Sequence, residues 1–177
     1  GFVINGQCAG DGSGYSVSSA GDVNGDGLAD LIVGARASAP AAGASAGRSY
    51  VVFGKTGTTA VDLSAIANGV GGFVINGQGA TDLSGISVSS AGDVNGDGLA
   101  DLIVGAQYSD PTAGSNAGRS YVVFGKTGTT AVDLSAIANG VGGFAINGQS
   151  SGDLSGCSVS SAGDINGDGL ADLIVGA

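Results

Sequence analysis

The chain repeats its own sequence with a period of 71 residues, and this repetition constrains its fold more than any other feature. The opening segment Gly-Phe-Val-Ile-Asn-Gly-Gln recurs at 72–78 and, with one change, at 143–149. A near-literal repeat predicts one structural unit that is built several times, with a core buried between neighbouring units.

Some parts of the repeat are fixed and others vary. Residues 47–76 and 118–147 differ at a single position, whereas 36–46 and 107–117 keep the same length but diverge in sequence. Because loops vary more readily than packed strands, the divergent stretches are predicted to be exposed loops between packed strands.

One period contains four candidate strands, which are rich in β-branched residues and separated by Gly, Ser, Asn and Asp. In the first repeat they cover residues 15–20, 30–35, 48–54 and 73–76, and residues 60–69 are compatible with a helical turn. Four strands per repeated unit predict an all-β fold of β-propeller-type four-stranded blades. A stacked β-solenoid is the alternative repeat architecture.

Counted in blades, the chain divides into four parts. Residues 1–14 are assigned to the fourth strand of a preceding blade, 15–78 to blade 1, 79–149 to blade 2 and 150–177 to the first half of blade 3. About two and a half blades are too few for a ring, which needs about four to eight. The chain is therefore either part of a longer array, or several copies assemble through incomplete blades.

The charge of the chain restricts its partners. The formal net charge is −10, all 15 acidic residues are Asp, and only five residues are Lys or Arg. Binding to nucleic acid or to an anionic membrane requires a basic cluster, which this composition does not supply. No apolar run reaches the roughly 18 residues of a membrane-spanning helix. The expected partners are other copies of the chain, with an extracellular protein or a carbohydrate as the alternative.

The strongest chemical pattern is the sequence Asp-x-Asn-Gly-Asp-Gly-Leu-Ala-Asp, which begins at Asp22, Asp93 and Asp164. Side-chain oxygens at its first, third and fifth positions converge on one point in a tight turn, and Gly at the sixth position permits that turn. A backbone carbonyl at the seventh position and Asp at the ninth can complete the oxygen shell. The pattern predicts three metal-binding loops.

Calcium is the expected ion. Hard oxygen donors without His or thiolate favour Ca²⁺ over zinc or copper, and Mg²⁺ would demand stricter octahedral geometry. We expect about three Ca²⁺ per chain, one for each loop. The predicted ligands, with each Leu acting through its carbonyl, are Asp22, Asn24, Asp26, Leu28, Asp30, Asp93, Asn95, Asp97, Leu99, Asp101, Asp164, Asn166, Asp168, Leu170 and Asp172.

Two other interpretations of the loop exist. An EF-hand or dockerin loop requires a bidentate Glu at position 12, followed by a helix. Here Val33, Val104 or Val175 stands at that position, within a strand-like Leu-Ile-Val-Gly-Ala. An Asx-rich turn that binds no metal is the second interpretation, because Asn-Gly and Asp-Gly are common turn formers. Asp at positions 1, 5 and 9 together favours the metal loop over a simple turn.

The sequence SGYSVSSAGDVNGDGLADLIVGA at residues 13–35 resembles an FG-GAP repeat, the blade unit of integrin α-chain propellers and of many bacterial surface proteins. The resemblance covers essentially the whole chain. It implies calcium bound between the first two strands of each blade, a location outside the cell or on its surface, and a role in adhesion. The Phe-Gly pair of the family is Ser-Gly at residues 13, 84 and 155, so the packing at blade junctions is expected to differ.

Weaker acidic positions also recur. Residues ahead of each first strand either support the metal loop or, as favoured here, cap a turn; these are Asp11, Asp82 and Asp153. Asp62 and Asp133 are expected to begin the helical turn, without a ligand role.

The segment Gly54-Lys55-Thr56 superficially resembles the end of a phosphate-binding loop. It lacks both the Gly five residues before Gly54 and a following helix, so a solvated turn is predicted instead.

The two cysteines, Cys8 and Cys157, occupy different positions of the repeat. Within one blade these positions lie three strand spacings apart, roughly 14 Å, and a disulfide spans at most about 7 Å. The hypothesis is an intermolecular disulfide between neighbouring copies, and the alternative is two isolated thiols.

The composition disfavours catalysis. The chain has no His, no Glu and no Cys beside a plausible base, so we expect no enzymatic activity. The first functional hypothesis is a calcium-stabilised structural protein that self-assembles into oligomers or filaments, because incomplete blades expose unpaired strand edges. The alternative is an integrin-like propeller fragment for adhesion or ligand binding. Calcium sites in the range of secreted modules favour an extracellular or cell-surface location.

Overall fold

The computed structural model describes all 177 residues, which form thirteen short strands and two five-residue helices. In chain order these are β1 (Ile4–Asn5), β2 (Ser13–Gly21), β3 (Asp30–Ala35), β4 (Arg48–Val52), β5 (Val61–Asp62), α1 (Leu63–Ala67), β6 (Gly72–Asn76), β7 (Ser87–Gly92), β8 (Asp101–Ala106), β9 (Arg119–Val123), β10 (Val132–Asp133), α2 (Leu134–Ala138), β11 (Gly143–Asn147), β12 (Ser158–Gly163) and β13 (Asp172–Gly176). Neither helix approaches the length needed to cross a membrane. The prediction of an all-β fold is confirmed.

The strands form two antiparallel four-stranded sheets and a hairpin. Blade 1 has the order β2-β3-β4-β6, blade 2 has the order β7-β8-β9-β11, and β12 pairs with β13 in a half blade. A β-helix would stack its repeats through parallel strands, whereas the pairing within each blade is antiparallel. The sheets do not close into a ring, so the chain forms a partial propeller of about two and a half blades.

The second strand of each complete blade is its most buried strand. β3 and β8 read Asp-Leu-Ile-Val-Gly-Ala and are almost entirely buried, as a short continuous apolar run predicts. The first strand, β2, begins at Ser13, two residues before its predicted start. A bulge between Ser19 and Gly21 ends its regular pairing with β3 just before the Asp-rich loop.

The hydrophobic core lies between the blades. Its largest cluster joins Phe73 of blade 1 to Leu102 of blade 2, and a second cluster on the opposite face of blade 1 packs against β1. A third cluster joins Ile103 of blade 2 to Val159 of the half blade. Each blade therefore depends on its neighbours for burial, as expected of a repeat protein.

Adjacent blades are also joined by short parallel strand pairs. β1 pairs with β5, and β6 pairs with β10 at the equivalent positions of the next repeat. The predicted helical turn is α1, and Asp62 occupies its N-cap position. The Asp62 carboxylate does not cap the helix, because it accepts a hydrogen bond of 2.8 Å from the Asn5 side chain of β1.

The divergent loop at 36–46 is less exposed than its sequence variation predicts. Ser38 and Pro40 are buried, and the carbonyls of Ala44 to Ala46 accept hydrogen bonds from residues 81–84 of the next repeat. The loop at 107–117 makes equivalent bonds to residues 152–155. The two loops therefore differ in sequence, but their last residues make the same backbone hydrogen bonds to the next repeat.

Candidate metal centre

Each Asp-rich loop connects the first and second strands of its blade. In the first loop Gly27, at the sixth position, has φ +85°, a left-handed conformation that Gly adopts without the strain other residues incur. The equivalent glycines of the other loops, Gly98 and Gly169, both have φ +88°. The sequence repeat is thus matched by a repeated backbone conformation.

The first Asp of each loop organises the turn. Asp22 accepts hydrogen bonds at Oδ1 from the amides of Gly25 (2.8 Å) and Asp26 (3.1 Å), and at Oδ2 from the amide of Gly27 (2.8 Å). Asp93 and Asp164 make the same three bonds in their own loops. A carboxylate that accepts several amide hydrogen bonds fixes the turn around itself.

The third and fifth positions lie beside the first. Asn24 accepts the amide N–H of Asp26 at 2.8 Å and donates its own side-chain N–H to the Asp26 carboxylate at 3.0 Å. The other Asp26 oxygen accepts the amide N–H of Leu28. The Leu28 carbonyl, the predicted seventh-position ligand, makes no hydrogen bond within the chain.

The Asp at the ninth position has a different environment from the side chains at the first, third and fifth positions. Asp30 is completely buried, and its two oxygens accept the amides of Val23 (2.9 Å) and Gly54 (2.7 Å). It thereby connects the loop to the end of β4. Asp101 makes the equivalent bonds to Val94 and Gly125 in blade 2.

The half blade contains only part of this arrangement. Asp172 accepts the amide of Ile165 at 2.8 Å, but its other oxygen receives only a long contact of 3.4 Å from the Asn166 side chain. The third strand, which supplies Gly54 or Gly125 in the complete blades, has no counterpart here.

Burial raises the pKa of Asp30 above its usual value. The amide N–H groups of Gly54 and Val23 oppose this shift, and the nearby charges of Asp26 and Asp22 add to it. Burial also raises the pKa of Asp101, with the corresponding contributions from its own loop. The charges of the other two Asp residues in the same loop thus disfavour the ionised form of each buried carboxylate.

The structure brings the predicted ligands into one small loop without converging them on a single point. No loop gathers three carboxylates in a ready-made coordination shell, because the oxygens of the first and ninth residues face backbone amides. The donor chemistry nevertheless fits Ca²⁺, since each loop supplies only hard oxygens, and a carboxylate oxygen that accepts one N–H retains a second lone pair. The residues that would hold the ion are the fifteen predicted from the sequence, and Ca²⁺ would offset the mutual repulsion of their carboxylates.

Neighbouring loops contact each other, which the sequence did not predict. The Ala100 amide of the second loop donates to the Asp22 carbonyl at 3.0 Å, and the Lys126 amide, which follows β9 of blade 2, donates to the Val23 carbonyl at 2.9 Å. The Ala171 amide donates to the Asp93 carbonyl in the same way. Ala recurs at the contacting position of each loop, as Ala29, Ala100 and Ala171, but a repeat alone does not reveal which copies meet.

The weaker acidic positions do not join the loops. Asp82 and Asp153 accept the amide N–H of the third residue before them, at 3.1 and 2.6 Å, which is a turn contact. Asp11 accepts the Ser38 hydroxyl at 3.3 Å.

The other features singled out in the sequence lie apart from the loops. The Lys55 ammonium lies over the Phe2 ring, 4.7 Å from its centroid, and donates to the Thr59 carbonyl. Its segment therefore does not form a phosphate-binding cradle. Cys8 and Cys157 are both free and exposed.

Comparison with known proteins gives one clear result. The model of the FG-GAP repeat matches residues 13–52, 84–123 and 158–177, which together make up more than half of the chain. Each match begins at or just before the first strand of a blade and includes its Asp-rich loop. Among curated proteins no match is found. Because three matches together cover more than half of the chain, the chain belongs to the FG-GAP repeat family.

Proposed function

We propose that this chain is a calcium-stabilised, extracellular structural repeat protein that self-assembles through its incomplete blades. The observation that carries the proposal is the difference in exposure between equivalent residues. Ile32 and Ile103 are 0% exposed, whereas Ile174 at the same position of the half blade is 60% exposed. Val23 is 0% exposed, and its counterpart Ile165 is 77% exposed.

The exposed Ile165 and Ile174 lie on what we call the open face of the half blade. The complete blades indicate which kind of surface would cover it. In the complete blades Val23, Ile32 and Ile103 are buried and Val94 is partly buried in clusters shared with a neighbouring blade, so the matching surface is another blade of this type. A second copy of the chain supplies such a blade. Burying two Ile side chains would contribute about 3 kcal/mol or more to the association.

Calcium supports the same role. The loops that hold it would stiffen the connection between the first two strands of each blade, and contacts between loops would transmit that stiffness along the array. Sites of this kind suit the calcium-rich exterior of a cell. The proposal assigns no catalytic role, because the chain offers no His or Glu for proton transfer.

A second candidate is adhesion or ligand binding, and one cavity favours it. A cavity of about 310 Å³ lies at the junction of blades 1 and 2, lined by Asn76, Gln78, Asp133 and Ser135 among others. Polar side chains of this kind suit a carbohydrate or a peptide. The cavity lies away from the open face of the half blade, so the two functions can be tested separately.

The assembly proposal is tested by sedimentation velocity over a range of protein concentrations, with calcium and with a chelator. We expect larger species in calcium, and fewer of them for Ile174→Asp. Val70→Asp is the matched control, because Val70 is 64% exposed although blade 2 follows it. A monomer at every concentration, or an equal loss of assembly in both variants, would contradict the proposal.

A further inference from the structure

Adjacent Asp-rich loops are joined through their backbones at the positions that carry predicted ligands. The loops are here called loop 1 (22–30), loop 2 (93–101) and loop 3 (164–172). The Ala100 amide of loop 2 donates to the Asp22 carbonyl of loop 1 at 3.0 Å. The peptide group that contains this N–H also contains the carbonyl of Leu99, the predicted seventh-position ligand of loop 2. One peptide group therefore serves both loops.

A peptide group of loop 1 continues this connection. The Asp22 carbonyl belongs to the same peptide group as the Val23 N–H, which donates to Oδ2 of Asp30 at 2.9 Å. Asp30 is the predicted ninth-position ligand of loop 1. Two peptide groups and two hydrogen bonds, here called the peptide relay, thus lead from a predicted ligand of loop 2 to a predicted ligand of loop 1.

The peptide relay recurs between loops 2 and 3. The Ala171 amide donates to the Asp93 carbonyl at 3.1 Å. The Val94 N–H of the same peptide group donates to Asp101 at 2.9 Å. The Ala171 N–H shares its own peptide group with the carbonyl of Leu170, the seventh-position residue of loop 3. The connection is therefore a property of the repeat and not of one pair of loops.

A second connection reaches loop 1 from the ninth position of loop 2. The Gly125 amide donates to Oδ1 of Asp101 at 2.8 Å. The next amide, that of Lys126, donates to the Val23 carbonyl at 2.9 Å. Asp101 is completely buried, which strengthens its hydrogen bonds relative to bonds made in water. Loop 1 is therefore connected to both the seventh-position and the ninth-position ligands predicted for loop 2.

The backbones of adjacent loops are also in close contact. A Cβ placed at Gly21 would lie 2.6 Å from the Ala100 Cβ, and a Cβ placed at Gly92 would lie 2.5 Å from the Ala171 Cβ. The space between adjacent loops is thus too small for one additional carbon atom. Because closely packed groups transmit displacement, a shift of one loop is passed on to its neighbour.

We propose that the peptide relay couples the calcium sites of adjacent loops, so that occupation of one loop raises the calcium affinity of the next. This inference rests on the proposed calcium binding and adds that the sites do not act independently. The C=O and N–H bonds of a trans peptide point in opposite directions, and the chain has no cis peptide. The bond from Ala100 to Asp22 therefore directs the Leu99 carbonyl away from loop 1. That carbonyl accepts no hydrogen bond within the chain.

Two physical effects favour the coupling. When the Leu99 carbonyl ligates a cation, the Ala100 N–H of the same peptide becomes a stronger donor to loop 1, because hydrogen-bonded groups polarise one another. The exposed tip of each loop must also be ordered on binding, and a loop whose neighbour is already ordered loses less conformational entropy. Coupling between two sites is reciprocal, so each raises the affinity of the other by the same factor.

Charge opposes the coupling without reversing it. Each loop carries three Asp, so its formal charge changes from −3 to −1 when Ca²⁺ binds. An occupied loop is therefore still negative toward the ion of its neighbour. Salt at about 0.15 M limits the range of such charge effects to about 8 Å. We expect a net coupling of about fivefold in affinity, at the lower end of the usual range.

Calcium titration followed by NMR tests the coupling loop by loop. The amides of Gly27, Gly98 and Gly169 each donate to the first Asp of their own loop, so their signals report on the three loops separately. Asp97→Ala removes a predicted ligand of loop 2 only. We expect it to raise the calcium concentration at the Gly27 midpoint by about fivefold, although every ligand of loop 1 is intact.

Asp168→Ala is the matched control for this titration. It removes the equivalent ligand from loop 3, which hydrogen-bonds to loop 2 and not to loop 1. The Gly27 midpoint should then change by less than about twofold. Repeating both titrations at about 1 M salt, where charges act over only about 3 Å, separates the peptide relay from long-range charge effects. A shift that disappears in high salt, or equal shifts in the two variants, would overturn the coupling.

A second pair of variants alters the contact without changing a ligand. In Gly21→Ala the added Cβ meets Ala100, whereas in Gly163→Ala, the equivalent position before loop 3, it meets no atom within 4 Å. The two glycines have φ +75° and +72°, so the backbone strain is matched. In chelator we expect hydrogen exchange at the Ala100 amide to become about tenfold faster in Gly21→Ala and to stay unchanged in Gly163→Ala. In calcium, only Gly21→Ala should raise the Gly27 midpoint.

The outcomes separate the coupling from the calcium binding on which it rests. If all three glycine signals respond to calcium, and neither Asp97→Ala nor Gly21→Ala shifts the Gly27 midpoint, the coupling fails while calcium binding stands. If none of the three signals responds to calcium, both fail.

Discussion

At the scale of single residues, the ninth Asp of the loop has a structural role in addition to the ligand role that we propose for it. The sequence places Asp30 in a metal-binding pattern, and the structure buries it between the amides of Val23 and Gly54. One carboxylate therefore ties the loop to the third strand. The sequence pattern cannot reveal this role, because Gly54 lies 24 residues away.

Replacement of this buried carboxylate should be costly even without calcium. Asp30→Ala leaves one buried and one partly buried amide donor without partners, and we expect a loss of about 2 to 4 kcal/mol in the free energy of unfolding. The matched control Asp172→Ala should cost less than about 1 kcal/mol, because the amide it leaves is exposed to water. Urea unfolding in the presence of chelator measures both. Equal losses would contradict the assigned role of Asp30.

Asp82 is expected to make stability depend on pH. Its burial raises its pKa; the Asp110 charge adds to the shift, and the Ser109, Gly79 and Arg119 contacts oppose it. The folded state therefore retains a proton that the unfolded chain, with a pKa near 3.8, has already lost. Stability falls as pH rises from that value through the raised pKa.

Asp82→Asn should remove this dependence. The neutral side chain can still accept the Gly79 amide, so we expect a flatter stability curve above pH 4 and no loss of stability at neutral pH, about pH 7. Thermal unfolding at a series of pH values measures the slope. Asp153→Asn serves as the control, since Asp153 is only partly buried. A slope unchanged by Asp82→Asn would exclude this residue as its source.

At the scale of elements, the strands follow from local sequence, but their junctions do not. β3 and β8 could be predicted from a continuous apolar run, and the loops from their Asp and Gly spacing. The parallel pairing of β1 with β5 involves two residues in each strand, which is too short to leave a sequence pattern. The loop at 36–46 was expected to be exposed because its sequence varies, but it packs against the next repeat through backbone carbonyls, which side-chain variation does not alter.

Glycine at one junction provides a test at this scale. Gly47 has φ +84°, and a Cβ placed there would lie 2.0 Å from the Ser84 carbonyl oxygen of the next blade. We expect Gly47→Ala to lower the free energy of unfolding by more than about 2 kcal/mol, because both strain and the clash oppose it. Gly57→Ala is the control, since a Cβ at Gly57 has no atom within 4 Å. Denaturant unfolding should separate the two variants clearly.

At the scale of the whole molecule, the three loops concentrate charge along one row. Nine of the fifteen acidic residues belong to the loops, and backbone hydrogen bonds hold adjacent loops together. Repulsion among these carboxylates opposes folding unless cations bind. Three Ca²⁺ ions would change the formal charge from −10 to −4.

Calcium removal should therefore destabilise the entire array. At a calcium concentration 100 times its dissociation constant, each site adds about 2.7 kcal/mol to the free energy of unfolding. We expect metal analysis to find about three Ca²⁺ per chain, and calorimetry to show a large fall in Tm on chelation that added calcium reverses. An unchanged Tm after chelation would refute the calcium proposal.

The sequence by itself determined the repeat, the class of blade and the loops, because each of these depends on residues close together in the chain. The FG-GAP matches confirm the family inferred from the same residues. Only the tertiary structure decided which copies touch: it placed Gln7 on Tyr50, Asn76 on Asp133 and Ala100 on Asp22. A repeated sequence offers each contact several equivalent partners, and geometry alone selects one.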